Sequence, residues 1–401
     1  MLRMRLIADD VPLDDRRFRR VFAAEAISLL GTFVTPVALV FAVLDISDAA
    51  GVGFVLAARE IPLVVLLLGG GVIADRHGPR AVMIVANAVM AAGQGLTAAL
   101  LLGGHAEVWH LVLLQAITGG AQAFALPAQT SLIADIVPPE RLQAANSLRA
   151  FASSIGNIAG PALAGIIVVA ASPGWGLAAD AATFALSSLI LATVSVEHRK
   201  LAKTQRVLAD LRDGWRAFRA SDWLWGGVSV MSLWNATFAI FRVVGPVVAI
   251  RPAVWATVLT ATGIGAVIGG LVLVRVRPQR PGILLSVGLL SSCGPALALA
   301  AGLPTAVVAA TAVLSGAGGI GFNATWESTV QREVPRESLS RVMAYDMFGS
   351  FALAPIGFAI GGLLVEPLGA TTTLYAAGIL LAALPALLWA IPGIRRLRAP
   401  V

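Results

Sequence analysis

The sequence predicts an all-α membrane protein with twelve transmembrane helices arranged as two six-helix bundles. Of its 401 residues, 58% are hydrophobic and only 13% are charged, whereas about a quarter of the residues in a soluble domain carry a charge. Most of the surface must therefore face lipid rather than water. At about 20 residues for each membrane helix, twelve helices fit the length and leave no room for a separate soluble catalytic domain.

Twelve apolar runs are long enough to span a bilayer, and charged residues or Gly/Pro breaks separate them. They predict spans one to six at 20–44, 51–75, 81–103, 108–136, 141–171 and 174–195, and spans seven to twelve at 223–248, 253–274, 282–302, 304–332, 338–366 and 370–393. The charged segment between the two sets has apolar residues at helical spacing, which predicts an amphipathic linker helix at the membrane surface. The predicted organisation is a bundle with a short tail at 1–195, a linker at 196–222 and a second bundle at 223–401.

Basic residues predict the orientation of the chain. Of the 29 Lys and Arg residues, all except Arg59, Arg242 and Arg251 fall at one face of the predicted membrane. Basic residues in short loops mark the cytoplasmic side, so both termini and the linker are predicted to be cytoplasmic. The amino end has no apolar segment of the kind found in signal peptides. The net charge of +7 therefore indicates orientation in a membrane and not binding to nucleic acid.

The two halves of the chain are weakly similar. The segment from Ile136 (IVPPERL) aligns with the segment from Glu333 (EVPRESL) at an offset of 197, and the same offset places Gly160 on Gly357 and Gly165 on Gly362. Two six-helix repeats are typical of secondary transporters, in which the binding site lies near the bilayer midplane between the repeats. Chance similarity between helices rich in glycine and alanine is the alternative.

The junction of spans two and three carries the motif Gly71-Val-Ile-Ala-Asp75-Arg76-His-Gly78-Pro-Arg80. It resembles the G-x-x-x-D-R-x-G-R/K signature of the major facilitator superfamily, and the resemblance extends over the whole chain through the twelve spans and the central linker. The resemblance implies that Asp75 latches a cytoplasmic gate against the amino end of span eleven. At the equivalent place in the second half, Val274 replaces the aspartate.

Span five contains Gly156, Gly160, Pro161 and Gly165 in an order that resembles the G-x-x-x-G-P-x-x-G-G pattern of proton-exchanging exporters in the superfamily. Ala164 replaces the first glycine of the final pair. Small residues four positions apart allow two helices to approach closely, and a proline removes one backbone hydrogen bond. Generic helix packing is the alternative explanation for this motif.

Short stretches around Arg59-Glu60-Ile-Pro62 and Ala179-Asp180 look like the bacterial branch that includes enterobactin exporters and macrolide-efflux proteins. This resemblance transfers no substrate-binding residue to the chain.

A polar residue in an apolar span costs free energy, so it is expected to face a cavity or a partner. They recur in spans one, four, seven and ten, the spans that line the central cavity in the superfamily. The candidates for the proton or substrate pathway are Glu25, Arg59, Glu60, Asp180, Asn235, Arg242, Asn323, Glu327 and Asp346.

One or two buried carboxylates, drawn from Glu25, Glu60, Glu327 and Asp346, are predicted to couple proton entry to substrate exit, because a poorly hydrated carboxylate can load and release a proton. A structural ion pair, for instance with Arg59 or Arg149, is the alternative for each of them.

The sequence thus predicts a proton-coupled exporter of small hydrophobic or amphipathic molecules in the bacterial inner membrane. It is expected to be a monomer in contact with lipid, protons and a small-molecule substrate. No nucleotide-binding loop occurs, so ATP hydrolysis is not expected. The four histidines are scattered and the chain has one cysteine, so no metal site and no cofactor are expected. A proton-coupled importer is the first alternative. An integral-membrane enzyme and a transport-dead sensor are weaker ones, since neither a catalytic constellation nor loss of Asp75, Arg76 and Arg80 is visible.

Overall fold

The structure is a computed structural model that describes residues 12–196, 207–275 and 280–397. Within this part, twelve helices are long and apolar enough to cross a membrane. The predicted fold class, an all-α protein of twelve transmembrane helices, is confirmed.

The helices begin and end close to the predicted positions. Spans one to six are Arg16–Leu44, Ala49–His77, Pro79–Leu102, Val108–Ile136, Leu142–Ala170 and Pro173–Ala192. Spans seven to twelve are Asp222–Ala249, Pro252–Arg275, Pro281–Ser291 with Cys293–Ala300, Thr305–Glu333, Arg336–Phe351 with Ala354–Leu363, and Ala370–Ala390. Shorter helices are Val207–Arg219, Val365–Leu368 and Pro392–Arg396, and two 3-10 turns are Pro12–Asp14 and Pro139–Arg141. Several spans have proline at or next to the first helical position, where its missing N–H costs nothing.

Spans nine and eleven are interrupted, although the sequence predicts both as continuous. The interruptions lie at Ser292 and at residues 352–353, shortly before Pro295 and Pro355. A proline has no N–H for the carbonyl four residues earlier, and its ring crowds that carbonyl. The prediction of unbroken helices is therefore wrong at these two places. Other spans contain proline without a break, for example span one at Pro36 and span five at Pro161.

The chain divides into two compact units. The first comprises Met1–Ile46 and Ala58–Ala202, and the second comprises Ser47–Ala57 and Lys203–Val401. Inside the first unit, span one packs on spans five and six, and span three packs on spans four and six. The second unit has the matching contacts: span seven packs on spans eleven and twelve, and span nine packs on spans ten and twelve. Helices related by the repeat therefore make the same pairs.

Glycines at repeat-related positions make these close contacts possible. A Cβ atom on Gly119 would overlap the carbonyl oxygen of Arg59, and one on Gly316 would overlap that of Thr262. The offset between the two glycines is the same 197 residues that aligns the halves. Since lipid provides no hydrophobic force between helices, close backbone packing at small residues is a main source of their association.

The predicted amphipathic linker forms the helix Val207–Arg219, while residues 197–206 lie outside the described part of the chain. Its Gly214 faces span eleven, where a Cβ atom would lie 2.9 Å from Cβ of Arg341. The ring of Trp215 lies 5.5 Å from the ring of Tyr345, and Phe218 is buried. The apolar face of the linker helix is thus attached to the amino-terminal part of span eleven within the second unit.

An exposed ion pair joins two 3-10 turns at the loop face of the first unit. Nη1 of Arg141 donates to Oδ1 of Asp14 at 3.0 Å. This hydrogen bond, and the positive charge that makes it, lower the pKa of Asp14 below its ordinary value of 3.8. The pair links the amino-terminal turn to the turn before span five.

Replacing Arg141 with glutamine is expected to return the pKa of Asp14 to its ordinary value. A carboxylate whose pKa is lower in the folded chain stabilises the fold above its unfolded pKa, and this contribution is lost as the pH falls through the folded pKa. Because the pair is solvent-screened, we expect the midpoint of thermal unfolding at pH 7 to change little. NMR titration of aspartate-labelled protein measures the pKa, and an unchanged Asp14 titration in Arg141→Gln would contradict the assignment.

Candidate functional site

A buried polar cluster lies inside the first unit, between spans one, three, four and six. The Asp180 side chain is fully buried, and its Oδ2 atom accepts hydrogen bonds from Oγ1 of Thr35 at 2.6 Å and from Nε2 of Gln94 at 2.8 Å. Gln94 in turn accepts a hydrogen bond from Nε2 of Gln115 at 2.9 Å. Four helices therefore contribute to one hydrogen-bonded chain that contains a single carboxylate.

Two buried oxygen atoms of this cluster have no hydrogen-bond partner in the part of the chain that the structure describes. They are Oδ1 of Asp180 and Oε1 of Gln115. Buried polar atoms in proteins are nearly always hydrogen-bonded, and an unpaired one needs an explanation. Either oxygen can therefore accept a proton or a hydrogen bond without losing an existing donor.

Glu25 of span one forms an ion pair with Arg149 of span five. Nε of Arg149 lies 2.8 Å from both carboxylate oxygens of Glu25, and the Glu25 side chain is only 5% exposed. Nη1 of Arg149 also donates to Asn146. The geometry agrees with the alternative interpretation of Glu25, a structural ion pair, and connects the amino-terminal half of span one to span five.

Arg59 and Glu60 of span two are both half-buried. Nη2 of Arg59 donates to Oε1 of Gln122 in span four at 3.1 Å, and the Arg59 charge acts electrostatically on Asp180. The backbone of Arg59 also packs against Gly119. Arg59 thus stands between the polar face of span four and the buried cluster.

In the described residues, the candidate carboxylates and amides of the second unit have fewer polar partners than the Asp180 cluster of the first unit. Asp346 of span eleven is buried, and its Oδ1 atom accepts a hydrogen bond from Nε1 of Trp326 at 2.9 Å. Asn235 of span seven donates to the carbonyl oxygen of Ser350 at 3.0 Å. On span ten, Asn323 and Glu327 are both exposed in the structure.

Arg242 of span seven lies over an aromatic ring. Its guanidinium carbon is 5.3 Å from the centre of the Phe358 ring in span eleven. A cation over a ring face is attracted by the quadrupole of the ring. This contact holds the positive charge against an apolar wall within the second unit.

The two units differ in charge at positions related by the repeat. The offset of 197 carries Arg149 onto Asp346, so a cation in the first unit corresponds to an anion in the second. The same offset carries Asp180 onto Ala377, which is buried. The hydrogen-bonded cluster of Asp180 is therefore a feature of the first unit and not of the repeat.

At the junction of spans two and three, Gly78 adopts φ 89° and Pro79 begins span three. Arg80 donates to the carbonyl oxygens of Leu191 and Ala192 at the end of span six, at 3.0 and 2.7 Å. A helix end of this kind leaves carbonyl groups unpaired and carries partial negative charge. Arg80 therefore caps span six, a contact that the motif alone did not predict.

The three other members of this motif give less structural information. Arg76 is exposed. The surroundings of Gly71 and of the Asp75 side chain lie outside what the structure describes. The predicted latch role of Asp75 stays a prediction.

The glycine motif of span five contacts span one. A Cβ atom on Gly156 would lie 2.8 Å from the Phe33 ring, and one on Gly160 would lie 2.9 Å from the Phe33 carbonyl carbon. Pro161 and Gly165 are buried, and span five stays helical through the proline. The motif thus joins span five closely to the span that carries Glu25 and Thr35.

Gln94 is the residue of the cluster that the sequence reasoning missed. It occupies span three, outside the four spans with obvious polar stripes, and it is fully buried. The sequence signal for Gln94 is an amide in the middle of an apolar span, which carries the same cost as other buried polar groups.

The fold and the polar residues buried inside its spans define a polytopic membrane transporter. The chain matches the family described as the Major Facilitator Superfamily over residues 21–344. Because this match covers most of the sequence, the protein belongs to the Major Facilitator Superfamily, and it is a secondary transporter rather than an enzyme.

Solved structures show the same fold at low sequence identity. The nucleoside transporter NupG is 13% identical with a TM-score of 0.77, and the match covers 96% of this chain and 100% of that one. A peptide transporter POT in complex with sulfate is 15% identical with a TM-score of 0.74 and 99% coverage of both chains. A POT family transporter in complex with 5-aminolevulinic acid is 13% identical with a TM-score of 0.74, covering 95% of this chain and 97% of that one. A search of curated proteins gave no match.

Proposed function

We propose that this protein is a proton-coupled exporter of small hydrophobic or amphipathic molecules that works by alternating access. The observation that carries the proposal is the span-five motif, which resembles that of proton-exchanging exporters. Its glycines Gly156 and Gly160 pack directly on Phe33 of span one, the helix that also carries Glu25 and Thr35. A shift of span five would therefore displace span one and its polar residues.

The side chains of span seven support an amphipathic substrate. Trp234 and Phe238 stack with ring centres 4.9 Å apart, and both are half-buried. Arg242 lies one to two turns further along the same helix, with its charge over Phe358. Aromatic rings beside a few fixed polar groups are typical of sites that bind apolar molecules with a polar end.

The proposal is tested with purified protein in liposomes across which a pH difference is imposed. A panel of amphipathic dyes is added outside, and dye movement and internal pH are recorded together. We expect dye and protons to move in opposite directions, with loss of both signals on adding a protonophore. Dye and proton movement in the same direction would establish the alternative, a proton-coupled importer. Dye movement that is independent of the pH gradient would overturn the proton coupling.

We also propose that the protein lies in a bacterial inner membrane with both termini and the linker helix in the cytoplasm. The support is the basic character of one face, at which Arg76, Arg141 and Arg219 lie on exposed or half-buried surface. The opposite turns carry Gly104 and Gly302, both with positive φ and without basic neighbours.

In a Cys293→Ser background, Gly104→Cys is expected to react with a membrane-impermeant maleimide in intact cells. Ala220→Cys, beside the linker helix, should react only after the membrane is opened, because it lies on the cytoplasmic face. Both positions are exposed, so accessibility within the protein is matched. Labelling of both from outside the cell would refute the proposed topology.

A further inference from the structure

The Asp180 carboxylate has one satisfied oxygen and one unsatisfied oxygen. Oδ2 accepts two hydrogen bonds, from Thr35 and Gln94, whereas Oδ1 is buried and has no donor among the residues that the structure describes. Charged carboxylates in proteins are stable when both oxygens receive donors or a cation. The free lone pairs of Oδ1 are therefore the place in this cluster where a proton can be bound.

Gly31 of span one forms the wall that faces Oδ1. A Cβ atom at position 31 would overlap both Oδ1 of Asp180 and Oγ1 of Thr183. Only a residue without a side chain leaves room for this carboxylate. The contact also means that any movement of span one against span six changes the surroundings of Oδ1 directly.

Within the described ranges, Asp180 forms no ion pair with a charged residue of the neighbouring helices. Span one contributes Glu25, which is already paired with Arg149 of span five and lies ten residues from Thr35, or about 15 Å along the helix. Span three contributes only Arg80, which binds the carbonyl end of span six. Among the described residues, Arg59 of span two is a cation whose charge acts on Asp180.

We propose that Asp180 is the residue that binds the transported proton, at Oδ1, and that Arg59 senses the change of charge. This inference rests on the proposed proton-coupled function and names the residue that performs it. On loading, an O–H bond forms at Oδ1 and the carboxylate charge goes from −1 to 0. On release the same bond breaks and the proton returns to solvent, so the step needs no other reactant.

Hydrogen bonds connect Asp180 through Gln94 to Gln115, and further along span four Gln122 accepts a hydrogen bond from the Arg59 guanidinium. When Asp180 is neutral, the electrostatic attraction between Asp180 and Arg59 is lost. A cationic end of an amphipathic substrate would then be repelled, so proton binding and substrate binding oppose each other, as antiport requires.

The test is infrared difference spectroscopy of the purified wild-type protein between acid and alkaline pH. A protonated carboxyl group has a carbonyl stretching band that carboxylates lack and that shifts in D2O. We expect one such band from a buried acid in the wild type, its loss in Asp180→Asn, and a shifted band in Asp180→Glu. Asp346→Asn, which removes the other fully embedded aspartate of the described spans, should keep the band.

In Asp180→Asn, the side-chain amide oxygen can still accept the hydrogen bonds from Thr35 and Gln94. Size-exclusion chromatography checks that each variant is folded. A band that persists in Asp180→Asn, or that responds to sodium at fixed pH instead of to protons, would overturn the assignment. The readout needs no substrate. If the band behaves as expected but the liposome assay shows no proton-linked transport, the proton site stands and the proposed function falls.

Discussion

Replacing Gly316 with alanine is expected to destabilise the second unit strongly, whereas Gly319→Ala, in the same span and one turn away, is not. A methyl group on Gly316 would overlap the carbonyl oxygen of Thr262 and come within 2.8 Å of its carbonyl carbon. The conflict involves backbone atoms of span eight, which cannot rotate away. Overpacking of this kind costs about 1–3 kcal/mol or more.

Gly319 is the matched control, because nothing lies within 4 Å of a Cβ atom placed there. Alanine is favoured over glycine inside a helix by about 0.5–1 kcal/mol, so Gly319→Ala should unfold at the same or a slightly higher temperature. Thermal unfolding in detergent, followed by tryptophan fluorescence, measures both variants. Equal midpoints for Gly316→Ala and the wild type would show that spans eight and ten do not pack as described.

The second large effect is expected from Arg149→Met. It leaves the Glu25 carboxylate, 5% exposed, without its partner in span five. Removing one member of a buried ion pair typically costs about 3–5 kcal/mol, because the remaining charge is uncompensated. We expect a clear fall in the unfolding midpoint and lower yield of folded protein.

The double variant Glu25→Gln with Arg149→Met removes both charges and should recover most of the lost stability. Together with the single variant Glu25→Gln and the wild type, these proteins form a double-mutant cycle, which isolates the coupling energy of the pair. If the double variant is no more stable than Arg149→Met alone, Glu25 does not depend on Arg149. The observed ion pair would then have no energetic importance, and Glu25 would return as a candidate for the proton pathway.

Hydropathy and length were sufficient to predict the twelve spans. The largest error at any span end is four residues, at the start of span one, where the charged residues from Arg16 onwards extend the helix beyond the apolar run. The breaks in spans nine and eleven were not predictable, since Pro36 and Pro161 sit in helices that continue. Whether a proline breaks a span depends on which neighbouring groups satisfy the freed carbonyl, and this is a tertiary property.

The sequence predicted single residues of the candidate site but not how these residues are connected. The position of a carboxylate in an apolar span identified Asp180, because the cost of burying it is visible in the sequence. Its connection to Gln94 and Thr35 was not predictable, because it depends on the rotation of four helices about their axes. The same limit applies to Arg80, whose partners lie about 110 residues away in the chain.

The close glycine contacts have one more consequence. Where a Cβ atom would strike a carbonyl oxygen, the glycine carries a hydrogen atom that points at that oxygen instead. Gly119, Gly316 and Gly357 all have this geometry, facing the carbonyls of Arg59, Thr262 and Ala236. Each contact has the geometry of a Cα–H···O hydrogen bond, which is worth about 0.5–1 kcal/mol. Within each unit, backbone Cα–H donors therefore contribute to helix association. A hydropathy scale, which counts side chains, does not include this contribution.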